Sequence, residues 1–135
     1  MAGRKYSRQR EAIREYLDMH RDHPTAEEVY LGLREEDPHL SLGTVYRNLS
    51  LLADLGEIIR IRSGAGPDHF DADLSPHQHF MCRCCGKVLD MSVPGAAQLL
   101  AAAADEFSGE LETCTITFSG LCGECAAGDS YTAQA

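Results

Sequence analysis

Two Cys-x-x-Cys pairs, Cys82/Cys85 and Cys122/Cys125, set the tightest limit on what this chain can fold into. If all four sulfurs serve one ion, two turns separated by residues 86–121 must meet in space, so a helix and a strand have to lie between them. Four thiolates on tight turns close a tetrahedral shell that selects zinc and leaves no coordination position open, so the expected site is structural. The other reading of the same residues is a set of buried free cysteines. Cys84 and Cys114 fall outside the pattern and read as small packed or surface residues. No window approaches the roughly 18 to 20 consecutive apolar residues that cross a bilayer, and Met1 to Ser7 has no apolar core behind its charges, so no membrane partner and a cytoplasmic location are expected. The cytoplasm is reducing, which favours metal ligands over disulfides for six cysteines.

The net charge of -9 argues against nucleic acid only until its distribution is read. Residues 1–62 hold ten Lys/Arg against eleven Asp/Glu, and residues 63–135 hold two against ten. Arg4, Lys5, Arg8, Arg10 and Arg14 make a basic start where a local anion-binding face can form. The acidic second half is a poor DNA surface and a plausible cation trap.

The first half reads as three helices and a hairpin. Ile13, Tyr16 and Leu17 have helical spacing between Arg8 and His20. Thr25 and Glu28 have capping-box spacing before Val29, Tyr30 and Leu33, with an end near Asp37-Pro38. Ser41 is a candidate N-cap for Val45, Leu49, Leu52 and Leu55, with Gly56 as the stop. The run 58–62, the breaker 63–68 and the segment His69 to Asp71 complete a winged helix. Basic residues nearly vanish after Ala72, which predicts a DNA-binding domain over 1–72, a hinge over 73–76 and a second domain over 77–135. In that domain Gln78 to Cys82 and Lys87 to Val93 read as strands, Pro94 to Phe107 as a helix opened by proline, and Glu110 to Phe118 as a half-exposed strand. The tail from Ala126 is expected to fray. A sixty-residue domain buries little core, so a metal staple or a dimer interface is expected.

A second constellation is nitrogen and oxygen. His77 and His79 alternate around Gln78, so a strand projects both imidazoles from one face, with Asp71, Asp73 and Asp90 near in sequence. Such a shell suits Fe(II), Mn(II) or Zn(II); equally, His-x-His alone fits an exposed strand with no ligand role. His23, before Pro24, reads by itself as a capping or solvent residue, and His20, His39 and His69 as surface or packing residues.

The run from His77 to Asp90, the segment Leu42 to Leu49, His23-Pro24-Thr25-Ala26, Ser7-Arg8-Gln9-Arg10 and the closing Gly120-Leu121-Cys122-Gly123-Glu124-Cys125 together resemble the ferric uptake regulator family along nearly the whole chain. The resemblance implies an α+β chain with an N-terminal winged helix-turn-helix and a C-terminal α/β dimerisation domain, and a bacterial transcription factor rather than an enzyme. It implies structural Zn(II) at Cys82, Cys85, Cys122 and Cys125, and a regulatory Fe(II) or Mn(II) at His23, Asp71, His77, His79 and Asp90. Iron-sensing members commonly carry glutamate where this chain has Asp71 and Asp90, and peroxide-sensing members carry aspartate at both. The double aspartate favours a peroxide-sensing repressor in which bound Fe(II) drives oxidation of His77 or His23; the alternative is an iron-responsive repressor of metal uptake genes. Thr113 and Cys114 stand where relatives often carry histidine, so a further metal site is not expected. The stretch ahead of Ser7 is short for the leading helix of many relatives, which leaves minor-groove contact to Arg4, Lys5 or Arg8.

For DNA, Tyr46, Arg47 and Asn48 are base-edge candidates, Ser41 and Thr44 phosphate or base contacts, and Arg8 and Arg10 further contacts. Arg60 and Arg62 are expected on phosphates, and Tyr46 packed against the wing is the other reading of that residue. A homodimer on double-stranded DNA predicts an inverted-repeat operator. A metal-dependent enzyme is the competing class; no nucleophile elbow, phosphate loop or HExxH motif supports it.

Overall fold

The computed structural model describes residues 2–64 and 66–128, with side chains from Arg8 onward. The chain divides into two compact units between Ser75 and Pro76.

The first unit holds α1 (Ala2–Met19), α2 (Ala26–Leu33), α3 (Leu42–Asp54), β1 (Ile59–Ile61) and β2 (His69–Asp71), the order of a winged helix. α1 starts at Ala2 rather than near Arg8. Its first turns contain no proline and, beyond Ala2 and Tyr6, no apolar residue, so the helix extends through them with little of the apolar period that betrays it. Ile13 and Leu17 are fully buried on its inner face. Thr25 and Glu28 form the expected capping box: the Glu28 N–H donates to Thr25 Oγ1 at 3.2 Å, and the Thr25 N–H donates to Glu28 Oε1 at 3.1 Å. α1 and α2 meet closely because residue 32 is glycine; a Cβ there would lie 2.3 Å from Tyr16 Cε2.

Ser41 caps α3 by accepting the Thr44 N–H at 3.1 Å, and Val45, Leu49 and Leu52 are buried. Leu55, expected on the same apolar face, is instead the C-cap residue and 61% exposed, because the helix ends before it and Gly56 turns away at φ +76°. β1 and β2 pair antiparallel, Ile59 opposite Asp71 and Ile61 opposite His69. Ile58 and Phe70 close the core over the three helices.

The second unit holds β3 (Gln78–Cys82), β4 (Val88–Met91), α4 (Ala96–Glu106), β5 (Thr117–Gly120) and α5 (Gly123–Ala127). β3 is central, antiparallel to β4 and parallel to β5. Pro94 does not open α4: it sits in a turn with Gly95, whose φ of +96° precedes the helix, so the helix starts at Ala96. β5 is later and shorter than the alternation over 110–118 suggests. A parallel partner can be read only where β3 offers unpaired backbone, and the register Cys82 opposite Gly120 fixes the strand's end. Ala126, expected in a frayed tail, belongs to α5; residues 129–135 of that tail lie outside the described residues. No residue of α4 is buried, and Leu99, Leu100, Phe107, Leu111 and Phe118 are exposed. Among the described residues no helix is long and apolar enough to cross a membrane.

Candidate metal centres and nucleic-acid face

The thiol cluster is built by backbone hydrogen bonds. The Cys82 N–H donates to Lys87 O at 2.9 Å and the Gly86 N–H to Cys82 O at 2.9 Å, which folds residues 82–87 into a knuckle closed by Gly86 at φ +77°. The Arg83 N–H donates to Gly120 O at 2.8 Å, so β5 delivers Cys122 beside Cys82, and one turn of α5 brings Cys125 round. The four sulfurs lie within 4.8 Å of one another, and Cys85 Sγ is 3.8 Å from Cys122 Sγ. A tetrahedron with metal–sulfur bonds of about 2.3 Å has sulfur–sulfur edges of about 3.8 Å, so the donor set fits zinc in both chemistry and size.

Amide donors already favour a thiolate at this place. The Cys85 N–H lies 3.5 Å and the Cys122 N–H 3.4 Å from Cys82 Sγ, and they hold the Cys82 thiol down to about 5. Cys125 is pushed up, first by its hydrogen bond to Cys122 and then by burial. A divalent cation favours the thiolate at all four and reverses that resistance. Cys84 and Cys114 are exposed and outside the four-sulfur set.

The nitrogen and oxygen ligand candidates are divided between the two units of the chain. In the first unit, His23 Nε2 lies 3.5 Å from Asp71 Oδ2, and both side chains are buried. The other carboxylate oxygen, Asp71 Oδ1, accepts the Asp73 N–H at 2.9 Å. His23 has φ +61°, a left-handed conformation that costs a residue with a Cβ roughly 1–3 kcal/mol and is found where the surroundings enforce it. In the second unit, pairing of β3 with β4 sets His79 opposite Asp90. His77 and His79 meet at Nε2–Nε2 3.0 Å, and their Nε2 atoms lie 3.3 and 3.5 Å from Asp90 Oδ1. Two imidazoles and a carboxylate converging by their basic atoms suit a hard or borderline cation. Asp73 belongs to neither group; its Oδ1 accepts the Ser75 N–H at 3.0 Å.

On α3 the outward face is narrower than the sequence suggests. Tyr46, 43% exposed, and Arg47 point to solvent, so Tyr46 is not packed away against the wing. Asn48, expected at a base edge, is only 6% exposed here: its amide donates to Thr44 O at 2.9 Å and accepts from Arg10 Nε at 3.2 Å. Thr44 is buried too, its Oγ1 accepting from Ser41 Oγ and Arg47 Nη2 at 2.9 and 3.1 Å, and Ser41 is committed to the cap. Helical spacing places Thr44 and Asn48 on one stripe, and that stripe is turned to α1. Arg10 is thus a brace between α1 and α3, while Arg8 is exposed. Arg14 pairs with Glu57. Arg60 is held between the wing and α3, bonded to Ser50 of α3, 3.8 Å from Asp68 and over the Phe70 ring, whereas Arg62 is exposed. The side chains of Arg4 and Lys5 lie outside the described residues.

His69, read as a surface or packing residue, has a definite role. Its Nδ1 lies 2.7 Å from the His23 carbonyl oxygen. Strand alternation puts His69 on the same face as Asp71, which is the sequence signal that finds it.

The sequence profile described as the ferric uptake regulator family matches residues 1–119. The peroxide-responsive repressor PerR of Staphylococcus aureus strain USA300 is 32% identical over 124 residues, covering 92% of this chain and 84% of that protein. Among solved structures, the Campylobacter jejuni peroxide stress regulator superposes with a TM-score of 0.76 at 26% identity, covering 90% of this chain and 91% of that one. The Helicobacter pylori ferric uptake regulator, described with three functional metal-binding sites, gives 0.79 at 24% identity, with 90% and 84% covered, and shares the fold.

Proposed function

The chain belongs to the ferric uptake regulator family, and from that premise we propose that it is a metal-dependent repressor that leaves DNA when hydrogen peroxide oxidises it. Membership makes it a metal-responsive regulator rather than an enzyme. The observation that carries the peroxide reading is the pair of oxygen ligand candidates, Asp71 beside His23 and Asp90 beside His77 and His79, both aspartate, with a peroxide-responsive repressor at 32% identity.

In this reading Cys82, Cys85, Cys122 and Cys125 hold structural Zn(II), while His23, Asp71, His77, His79 and Asp90 hold the regulatory ion. Bound Fe(II) would supply the redox catalysis that lets peroxide act at a ligand ring, and Mn(II) in the same ligands would not. The net change at His77 or His23 is a ring carbon–hydrogen bond becoming carbon–oxygen, with the peroxide's second oxygen leaving as water. The altered ring is a poorer donor, so the ligand set loses an anchor. In this reading the ion keeps the protein on its operator, and loss of the ion releases the DNA.

Tyr46, Arg47 and Arg8 supply DNA contacts on the exposed face, with Ser41, Thr44, Asn48 and Arg10 fixing the pose of α3. The uncovered apolar residues of α4 and the segment after it fit a second copy of the chain, and a two-fold dimer reads an inverted repeat. The structural likeness to iron regulators supports a second reading, an iron-responsive repressor of uptake genes. Selection from a duplex library with a randomised core tests the proposal: an inverted repeat is enriched with Mn(II) and lost with a chelator, and peroxide abolishes its binding by the Fe(II)-loaded protein. Binding that ignores metal refutes the repressor reading, and metal-dependent binding that survives peroxide favours the iron-responsive one.

A further inference from the structure

The backbone around His23 has to be held. It has φ +61° in a residue that carries a Cβ and is followed by proline, and both features disfavour that conformation. β2 supplies the hold. The Phe70 N–H donates to Pro24 O at 2.9 Å, Thr25 and His69 form an isolated antiparallel bridge, and His69 Nδ1 lies 2.7 Å from His23 O. A carbonyl only accepts, so Nδ1 carries the proton and donates. Thr25 therefore bridges to the open edge of the wing hairpin just after the left-handed residue, and the side-chain clamp falls on the peptide unit that follows the His23 Cα.

We propose that His69 is a positioning residue for His23: its Nδ1–H bond to the His23 carbonyl holds the left-handed backbone that sets His23 Nε2 3.5 Å from Asp71 Oδ2. The inference rests on the reading of His23 as a metal ligand. It also makes β2 a mechanical link between the wing and the ligand loop, since one strand carries Asp71, the His69 clamp and the pairing to β1.

The test uses the full-length, zinc-loaded protein and Mn(II) titrated by calorimetry. His69→Phe keeps a ring and removes the donor. His69→Asn places an amide N–H where Nδ1 sits. His69→Gln reaches past that position and serves as a second loss variant should the phenylalanine variant fail to fold. Loss of an outer-shell hydrogen bond of this kind weakens metal binding about 10- to 100-fold, so the Phe and Gln variants fall by that factor and the Asn variant stays near native. In the metal-free protein the Phe70 amide exchanges hydrogen faster in the Phe and Gln variants and at the native rate in the Asn variant. Native Mn(II) affinity in the Phe or Gln variant, or an Asn variant as weak as they are, overturns the inference. His23→Ala separates the two layers: if it binds Mn(II) as the native protein does, the ligand reading itself fails, and if it alone loses Mn(II), only the role of His69 fails.

Discussion

Removing the ion from the four thiols should unfold the second unit and leave the first standing. The buried side chains near the cluster are few: Cys82, Cys122, Cys125 and Val88, with Phe80 and Leu121 half-buried. At about 1.5–3 kcal/mol for a buried valine and less for each cysteine, burial contributes on the order of 5 kcal/mol. Zinc in a site of this kind contributes about 10–16 kcal/mol at neutral pH, so the ion outweighs the core it sits in. The first unit differs in kind, with ten buried apolar residues in one cluster. Chelation, or Cys125→Ser, should therefore raise the thiols that react with a thiol reagent from the two outside the cluster, Cys84 and Cys114, towards all that remain. The dimer should dissociate. More than two-thirds of the helical residues lie in α1, α2 and α3, so the helical circular dichroism signal should fall by less than a third. A zinc-free protein with exposed thiols that remains a stable dimer, with an unchanged melt, would refute the reasoning.

Three further outcomes follow from particular contacts. Asn48→Ala leaves Arg10 Nε without its partner at the α1–α3 junction and should cost about 1–3 kcal/mol in thermal unfolding; unchanged stability with altered base preference would return Asn48 to the DNA face. Gly32→Val drives its Cβ into Tyr16 and should destabilise the first unit by about 1–3 kcal/mol in denaturant unfolding, and a native midpoint would show that α1 and α2 can part cheaply. Asp90→Glu should keep Mn(II)-dependent DNA binding and blunt the peroxide response, measured as the peroxide dose that halves DNA binding by the Fe(II)-loaded protein; an unchanged dose would remove the main reason for the peroxide branch.

Much of this architecture was legible because local rules and tertiary needs agree. The Thr25–Glu28 box, the Ser41 cap, the β3 limits at Gln78 and Cys82, and the two thiol pairs are all set within a few residues of one another, and spacing reports them directly. What escaped depends on neighbours far along the chain. Whether Asn48 faces DNA or α1 is decided by Arg10, and the span of β5 by the parallel register with β3. The first turns of α1 carry only Ala2 and Tyr6 to mark an apolar period. His69 was passed over because its partner is a backbone carbonyl 46 positions away; its alternation with Asp71 was the one local sign of it. His77, His79 and the nearby aspartates were raised by strand alternation and closeness in sequence, whereas His23, by itself a capping or solvent residue, came in only through the family motif.

The central claim is that peroxide is read through ligand histidines, and peptide mass spectrometry after limiting hydrogen peroxide tests it most directly. Fe(II)-loaded protein should gain one oxygen, about 16 Da, on the peptide bearing His77 or His23, and Mn(II)-loaded protein should not, in contrast to the thiol and thioether products of general oxidation. Oxidation confined to cysteines with loss of zinc, or no histidine oxidation while DNA binding is lost, would contradict it.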